Sequence, residues 1–213
     1  MTWDEYVSAW SRLHGGFDPR NASVLVRGWV LCAYKIGIFL GNRRISPLTV
    51  TVAGVVLCLA VPAAVLLGPA GLIVGALLVL LAAMADGLDG AVAVLTGRTS
   101  RAGFVYDSVA DRIGELAWLT AFWLAGAPGP LVVAAGVTSW LHEYVRARAA
   151  AAGAPEIGAV TVGERPTRVA VSAVALLVGA VHPAALVVAV TVWLVLQVAG
   201  LAQLVVALRR TLR

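Results

Sequence analysis

From Ile45 to Ala85 the chain runs 41 residues without a single Asp, Glu, Lys or Arg. A helix needs about 20 apolar residues to cross a bilayer, so this stretch holds two helices, folded back at Gly68-Pro69-Ala70-Gly71. Residues 116–142 lack the same four residue types and break at Gly126-Ala127-Pro128-Gly129-Pro130; residues 169–208 lack them too and break near His182-Pro183. The pattern predicts an all-α membrane protein with six transmembrane helices near 46–67, 71–96, 102–125, 130–151, 165–181 and 184–207, arranged as three hairpins. Residues 45–213 form this six-helix domain. Composition agrees: 61% of the chain is hydrophobic and 13% charged, against about 45–50% and 25% in a soluble domain.

The turns inside the hairpins carry no Lys or Arg. Basic residues gather at the opposite ends: Arg43 and Arg44, Arg98 and Arg101, Arg146, Arg148, Arg165 and Arg168, then Arg209, Arg210 and Arg213. The positive-inside rule puts those ends, and both termini, on the cytoplasmic side of a multi-pass cell-membrane protein. The net charge of +5 then points to an anionic membrane surface and phosphate-bearing substrates, not nucleic acid. Cys32 and Cys58 have no metal-ligand spacing, so neither a disulfide scaffold nor a zinc site is expected.

Residues 1–44 have a different character. Trp3, Tyr6, Val7, Trp10 and Leu13 recur at intervals of three and four among polar residues, the pattern of an amphipathic helix lying at the membrane interface. Residues 23–41 are more apolar but include Arg27 and Lys35. A second interfacial helix is expected there, since a seventh span would part the two termini.

Ionisable groups inside apolar helices cost about 2.5–3.5 kcal/mol or more each near the bilayer centre, and so mark functional sites by default. The second and third spans carry four aspartates. Asp86 and Asp89 are three apart and Asp107 and Asp111 four apart, so each pair shares a helix face. If the two helices pack together, four carboxylates converge. An all-oxygen set suits two divalent ions, Mg²⁺ or Mn²⁺, and not zinc. Gly90, Ala93 and Gly103 clear space beside them; a glycine lets a ligand approach the backbone. The competing reading is a structural network with Arg98, Arg101 and Arg112, which four aspartates at these spacings make the weaker one.

The run from Asp86 through Gly90 and Ala93 to Gly103, Asp107 and Asp111 resembles the signature of the CDP-alcohol phosphotransferases, D-x-x-D-G-x-x-A-R followed, after eight or nine residues, by G-x-x-x-D-x-x-x-D. Seven of its eight fixed positions match, with a gap of eight, residues 95–102. The departure is Val94, where the family has an Arg of the donor-nucleotide region; Arg98, one turn later, is expected to supply the missing charge. Pro47 and Thr51 resemble the family's nucleotide-side wall. A looser resemblance joins Tyr144-Val145-Arg146-Ala147-Arg148 and Gly163-Glu164-Arg165-Pro166-Thr167-Arg168 to the phosphatidylinositol-phosphate synthase-type members found in actinobacteria. It implies that Arg146, Arg148, Arg165 and Arg168 hold an acceptor phosphate, for which guanidinium is suited. The spacing of Glu164 and Arg168 predicts an i,i+4 pair, and Glu115 is expected to steady an arginine. His142 and His182 are expected to have no catalytic part.

The resemblance implies a transferase of phospholipid biosynthesis, working as a homodimer among membrane lipids. An alcohol acceptor, inositol phosphate or glycerol 3-phosphate, attacks a CDP-diacylglycerol-like donor and releases CMP. Asp86, Asp89, Asp107 and Asp111 hold the metals, and Asp111 is also the catalytic base. Two other readings stay open on sequence alone: an ion transporter using intramembrane carboxylates, and a catalytically silent nucleotide-binding relative.

Overall fold

The computed structural model describes residues 1–13, 15–153 and 161–211; Arg213 lies outside the described residues. Every regular element among them is helical. Helix α1 spans Trp3–Leu13, a 3-10 turn covers Pro19–Asn21, and α2 spans Val24–Asn42. The six expected helices follow as α3 (Pro47–Val65), α4 (Pro69–Leu95), α5 (Arg101–Leu124), α6 (Gly129–Ala151), α7 (Arg165–Gly179) and α8 (Ala184–Thr211). Their ends are set by local chemistry. Ser46 Oγ accepts from the Thr49 amide at 3.1 Å to cap α3, Ser23 caps α2, and Gly97 at φ 65° closes α4. There the Arg98 amide donates back to the Ala93 carbonyl at 2.8 Å, a left-handed glycine C-cap.

Four of these helices are long and apolar enough to cross a membrane: α2, α3, α4 and α8. Including α2 differs from the expectation of an interfacial helix, because Arg27 and Lys35 are too few to offset its apolar remainder. Helices α5 and α6 carry more charge within their length and α7 has 15 residues, so length and composition alone do not mark them.

The chain divides into two compact units, Met1–Leu57 with Leu81–Asp111, and Cys58–Leu80 with Arg112–Arg213. In the first, Tyr6 and Val7 of α1 pack with Val30 and Ala33 of α2, Val50 of α3, and Ala85, Leu88, Ala91 and Val94 of α4. The polar face of α1 stays outside and its apolar face joins this core, as its sequence period requires. Small residues let the helices approach. A Cβ on Gly37 would lie 2.9 Å from Leu95, and one on Gly54 would lie 3.3 Å from Ala85. In the second unit α8 packs on α6 and α7. Trp193 Nε1 donates to Ser139 Oγ at 2.8 Å, and Gln197 Nε2 donates to the Gly163 carbonyl at 2.9 Å, so these two buried donors are satisfied.

Gly71 has no tolerance for a side chain, since an added Cβ would overlap the Ala64 carbonyl oxygen, whereas one on Gly28 meets nothing within 4 Å. Gly71→Ala is expected to cost about 1–3 kcal/mol through overpacking, and Gly28→Ala to be neutral or stabilising by up to about 1 kcal/mol. Thermal unfolding of the two purified variants in one detergent checks the contrast.

Candidate active site

The first unit brings together three of the four aspartates. Carboxylate oxygens of Asp86 on α4 and of Asp107 and Asp111 on α5 all lie within 4.8 Å of one another, each residue half-buried. Two like charges this close repel by roughly 3–4 kcal/mol at an effective dielectric of about 20. A divalent cation offsets that repulsion, and three oxygen donors without nitrogen or sulfur fit Mg²⁺ or Mn²⁺. The residues therefore suit the metal that their spacing suggests.

Asp89 stands apart from this group. It is buried, and its Oδ2 accepts from Thr51 Oγ1 of α3 at 2.5 Å. Of the two residues expected at the nucleotide-side wall, Thr51 contacts Asp89, and its Oγ1 also lies 3.1 Å from the Pro47 carbonyl. Gly90 is exposed, and a Cβ there would touch nothing within 4 Å. That leaves open space one residue after Asp89. Ala93 is partly buried, while Gly103 takes a hydrogen bond from its amide to Ser100 Oγ at 3.0 Å.

Val94 is 8% exposed and belongs to the apolar core with Tyr6, Val7 and Leu88. Arg98 is exposed, beyond the end of α4. The two positions thus differ in environment, one in a packed core and the other in a loop. Val94→Arg is expected to lower stability by about 1–3 kcal/mol and to leave CMP affinity unimproved; unfolding and CMP titration of the variant check both.

The second unit pairs its charges internally. Arg112 Nη2 donates to Glu115 Oε1 at 2.9 Å, and its Nη1 lies 3.1 Å from Glu143 Oε1. From α7, Arg168 Nη1 donates to Glu115 Oε2 at 3.2 Å and Nη2 to Glu143 Oε1 at 2.9 Å. Two guanidinium and two carboxylate groups close a neutral ring joining α5, α6 and α7. Glu115 and Arg168 are almost fully buried, at 1% and 3% exposure. Glu115 steadies an arginine as expected, indeed two. Glu164 does not pair with Arg168 at i+4. It takes Arg146 Nη1 at 3.2 Å and Nη2 at 2.5 Å, plus the Thr161 amide at 2.9 Å and hydroxyl at 3.0 Å. As the first residue before α7 it points back along the 161–164 turn, so the helical spacing rule does not govern it. Burial alone would push the Glu164 carboxyl up, but the Arg146 hydrogen bonds and the Thr161 amide outweigh it and hold the group below its ordinary range. Arg148 is exposed and Arg165 partly buried. His142 is buried, 3.1 Å from Thr161 Oγ1 through Nε2, and His182 is exposed beside the α7–α8 turn.

Residues 44–207 match the CDP-alcohol phosphatidyltransferase family. The chain belongs to that family. Among curated proteins it is 38% identical over 138 residues to the phosphatidylinositol phosphate synthase of Mycolicibacterium smegmatis, covering 60% of this chain and 59% of that one. It is 29% identical over 161 residues to the archaetidylinositol phosphate synthase of Pyrococcus horikoshii, covering 75% and 84%. The match to the first of these thus spans under two thirds of that relative's length. A crystal structure of Mycobacterium tuberculosis phosphatidylinositol phosphate synthase with manganese and citrate is similar at a TM-score of 0.69 and 28% identity, over 83% of this chain and 88% of that one. The same enzyme with CDP-DAG bound gives 0.65 and 29%, over 83% and 92%.

Family membership accounts for the shared faces of α4 and α5 and for the glycines beside them. It leaves the ring of Arg112, Glu115, Glu143 and Arg168 unannounced. In sequence the only signal was local, Arg112 and Glu115 at i,i+3; their partners lie 28 or more residues away. The ring makes a stability prediction. Glu115→Gln leaves buried guanidinium groups short of a counter-charge and is expected to cost about 3–5 kcal/mol, whereas replacing Glu115, Glu143, Arg112 and Arg168 together by apolar residues of similar volume costs far less. Unfolding midpoints of the two proteins in detergent, with tryptophan fluorescence as the signal, give the comparison.

Proposed function

We propose that this protein is a membrane phosphatidyltransferase that moves the phosphatidyl group of CDP-diacylglycerol onto the hydroxyl of inositol phosphate, releasing CMP. The convergence of Asp86, Asp107 and Asp111 within 4.8 Å, at positions of the family signature, is the observation that carries this reading. The names of the relatives favour the acceptor. Phosphatidylinositol phosphate synthases and archaetidylinositol phosphate synthases differ in the lipid and share the inositol phosphate head group, which ranks it above glycerol 3-phosphate.

In this reading Asp86, Asp89, Asp107 and Asp111 hold divalent ions, Mg²⁺ or Mn²⁺. When bound, such ions neutralise the donor's diphosphate and stabilise charge on the leaving group. The acceptor oxygen forms a new bond to the phosphorus that bears diacylglycerol, and the bond from that phosphorus to the CMP oxygen breaks. Asp111 takes the hydroxyl proton. Gly90, Ala93, Gly103, Pro47, Thr51 and the exposed Arg98 border the nucleotide. Arg146, Arg148, Arg165 and Arg168 serve the acceptor phosphate. Arg168 gives its hydrogen bonds to Glu115 and Glu143, so its part is to shape the region beside the other three arginines. Residues 45–213 form the catalytic domain and residues 1–44 a membrane-associated lead. Helices α3–α8 cross the membrane, with the basic ends and both termini cytoplasmic, where a nucleotide and a soluble acceptor are found. The protein acts as a homodimer; an apolar groove of about 670 Å³ lined by Leu116, Trp123, Val133 and Trp140 offers a surface for the second copy.

The test is an acceptor panel with purified protein, CDP-diacylglycerol and Mn²⁺ or Mg²⁺, following CMP and the lipid product. Inositol phosphate is expected to give both, with no turnover in excess EDTA. Asp86→Asn, Asp107→Asn and Asp111→Asn should each lose at least about 10²-fold. Arg148→Ala and Arg165→Ala should raise the acceptor KM roughly tenfold, equal to about 1.4 kcal/mol, with the donor KM unmoved. Near-normal turnover by Asp107→Asn, or full activity in chelator, would overturn the assignment.

A further inference from the structure

Helices α3 and α4 approach closely in the first unit where Gly54 faces Ala85: a Cβ on Gly54 would sit 3.3 Å from the Ala85 Cβ and 3.8 Å from the Ala82 carbonyl. One turn along each helix, in the same antiparallel register, Thr51 faces Asp89. At this separation a side chain as short as threonine spans the gap, and its Oγ1 reaches Asp89 Oδ2 at 2.5 Å. That length is at the short end of the range for an O–H···O hydrogen bond.

The hydroxyl has a second acceptor within reach, the Pro47 carbonyl 3.1 Å away on its own helix. A threonine has one hydroxyl proton and donates it once. The shorter distance assigns the hydroxyl proton to Asp89 Oδ2. The Pro47 carbonyl lies in the first turn of α3, and inside a helix such a carbonyl is the usual acceptor for threonine. Thr51 Oγ1 thus stands within hydrogen-bond distance of both its own helix and a residue 38 positions away, and is nearer to the latter. Asp89 is the most buried of the four aspartates, at 6% exposure, and lies outside the group formed by the other three.

We propose that Thr51 is a positioning residue for the metal centre: its hydroxyl holds one carboxylate oxygen of Asp89 and thereby sets the direction in which the other is offered to a divalent cation. The threonine hydroxyl can turn back to the Pro47 carbonyl without a change of rotamer, so the carboxylate is oriented at little reorganisation cost. The inference rests on reading Asp89 as a cation ligand, and the experiment separates the two ideas.

Purified full-length protein, with Thr51→Val, Thr51→Ser and Asp89→Asn variants, is titrated with Mn²⁺ alone and followed by electron paramagnetic resonance of the free ion. CMP binding without metal is measured alongside, and unfolding midpoints establish that each variant is folded. Thr51→Val, which keeps the shape and removes the donor, is expected to weaken Mn²⁺ binding about tenfold. Thr51→Ser, which keeps the donor, should stay within about twofold of the parent. Because Thr51 also borders the nucleotide, metal-free CMP binding of the two variants shows separately any lost nucleotide contact, and the loss of Mn²⁺ affinity is read on the metal titration alone. Normal Mn²⁺ affinity in Thr51→Val, with weakened binding in Asp89→Asn, would overturn the positioning role and leave the ligand reading intact. Equal losses in Thr51→Ser and Thr51→Val would overturn it as well, since the methyl and not the hydroxyl would then matter. Unchanged Mn²⁺ binding in Asp89→Asn removes the ligand reading itself.

Discussion

A carboxylate surrounded by apolar helices has to meet positive charge, and each unit of this protein meets that demand differently. In the second unit the counter-charges are arginines. Arg112 and Arg168 face Glu115 and Glu143 in a neutral ring at 2.9–3.2 Å. In the first unit three aspartates crowd within 4.8 Å, where mutual repulsion alone is worth several kcal/mol. A ring of paired side chains balances its own charge; a crowd of like charges suits a divalent cation. In the proposed reading the same chemical group is structural in one unit and catalytic in the other.

The distances that make this possible depend on small residues elsewhere. Gly54 against Ala85 and Gly37 against Leu95 bring α3 and α2 close to α4, as is usual where packing rather than water expulsion holds helices together. Only at such separation can the Thr51 hydroxyl reach Asp89. Val94 belongs to the buried core cluster with Tyr6 and Val7, so the position where the signature has an arginine is filled by apolar packing.

Much of this was legible in the sequence. The uncharged runs and their Gly-Pro breaks located α3 to α8 within a few residues, since Gly and Pro break a long apolar run into separate helices. The i,i+3 and i,i+4 aspartates announced a shared face on each helix. What could not be read was pairing across helices. Local spacing gave Glu164 to Arg168, yet Glu164 sits just before α7 and meets Arg146 instead. Asp89 looks equivalent to Asp86 in sequence, and only the approach of α3 sets it apart. Helix α2 is expected at the interface because a seventh span would part the termini, whereas its length and composition alone would let its 19 residues cross a membrane.

The central claim is that Asp86, Asp107 and Asp111 are the seat of a divalent cation. Anomalous diffraction from crystals of the protein grown with Mn²⁺ addresses it directly. The account predicts a manganese peak at bonding distance from carboxylate oxygens of all three residues, and its loss in Asp107→Asn crystals grown the same way. A strong manganese signal elsewhere in the molecule, with none between these three carboxylates, would contradict it.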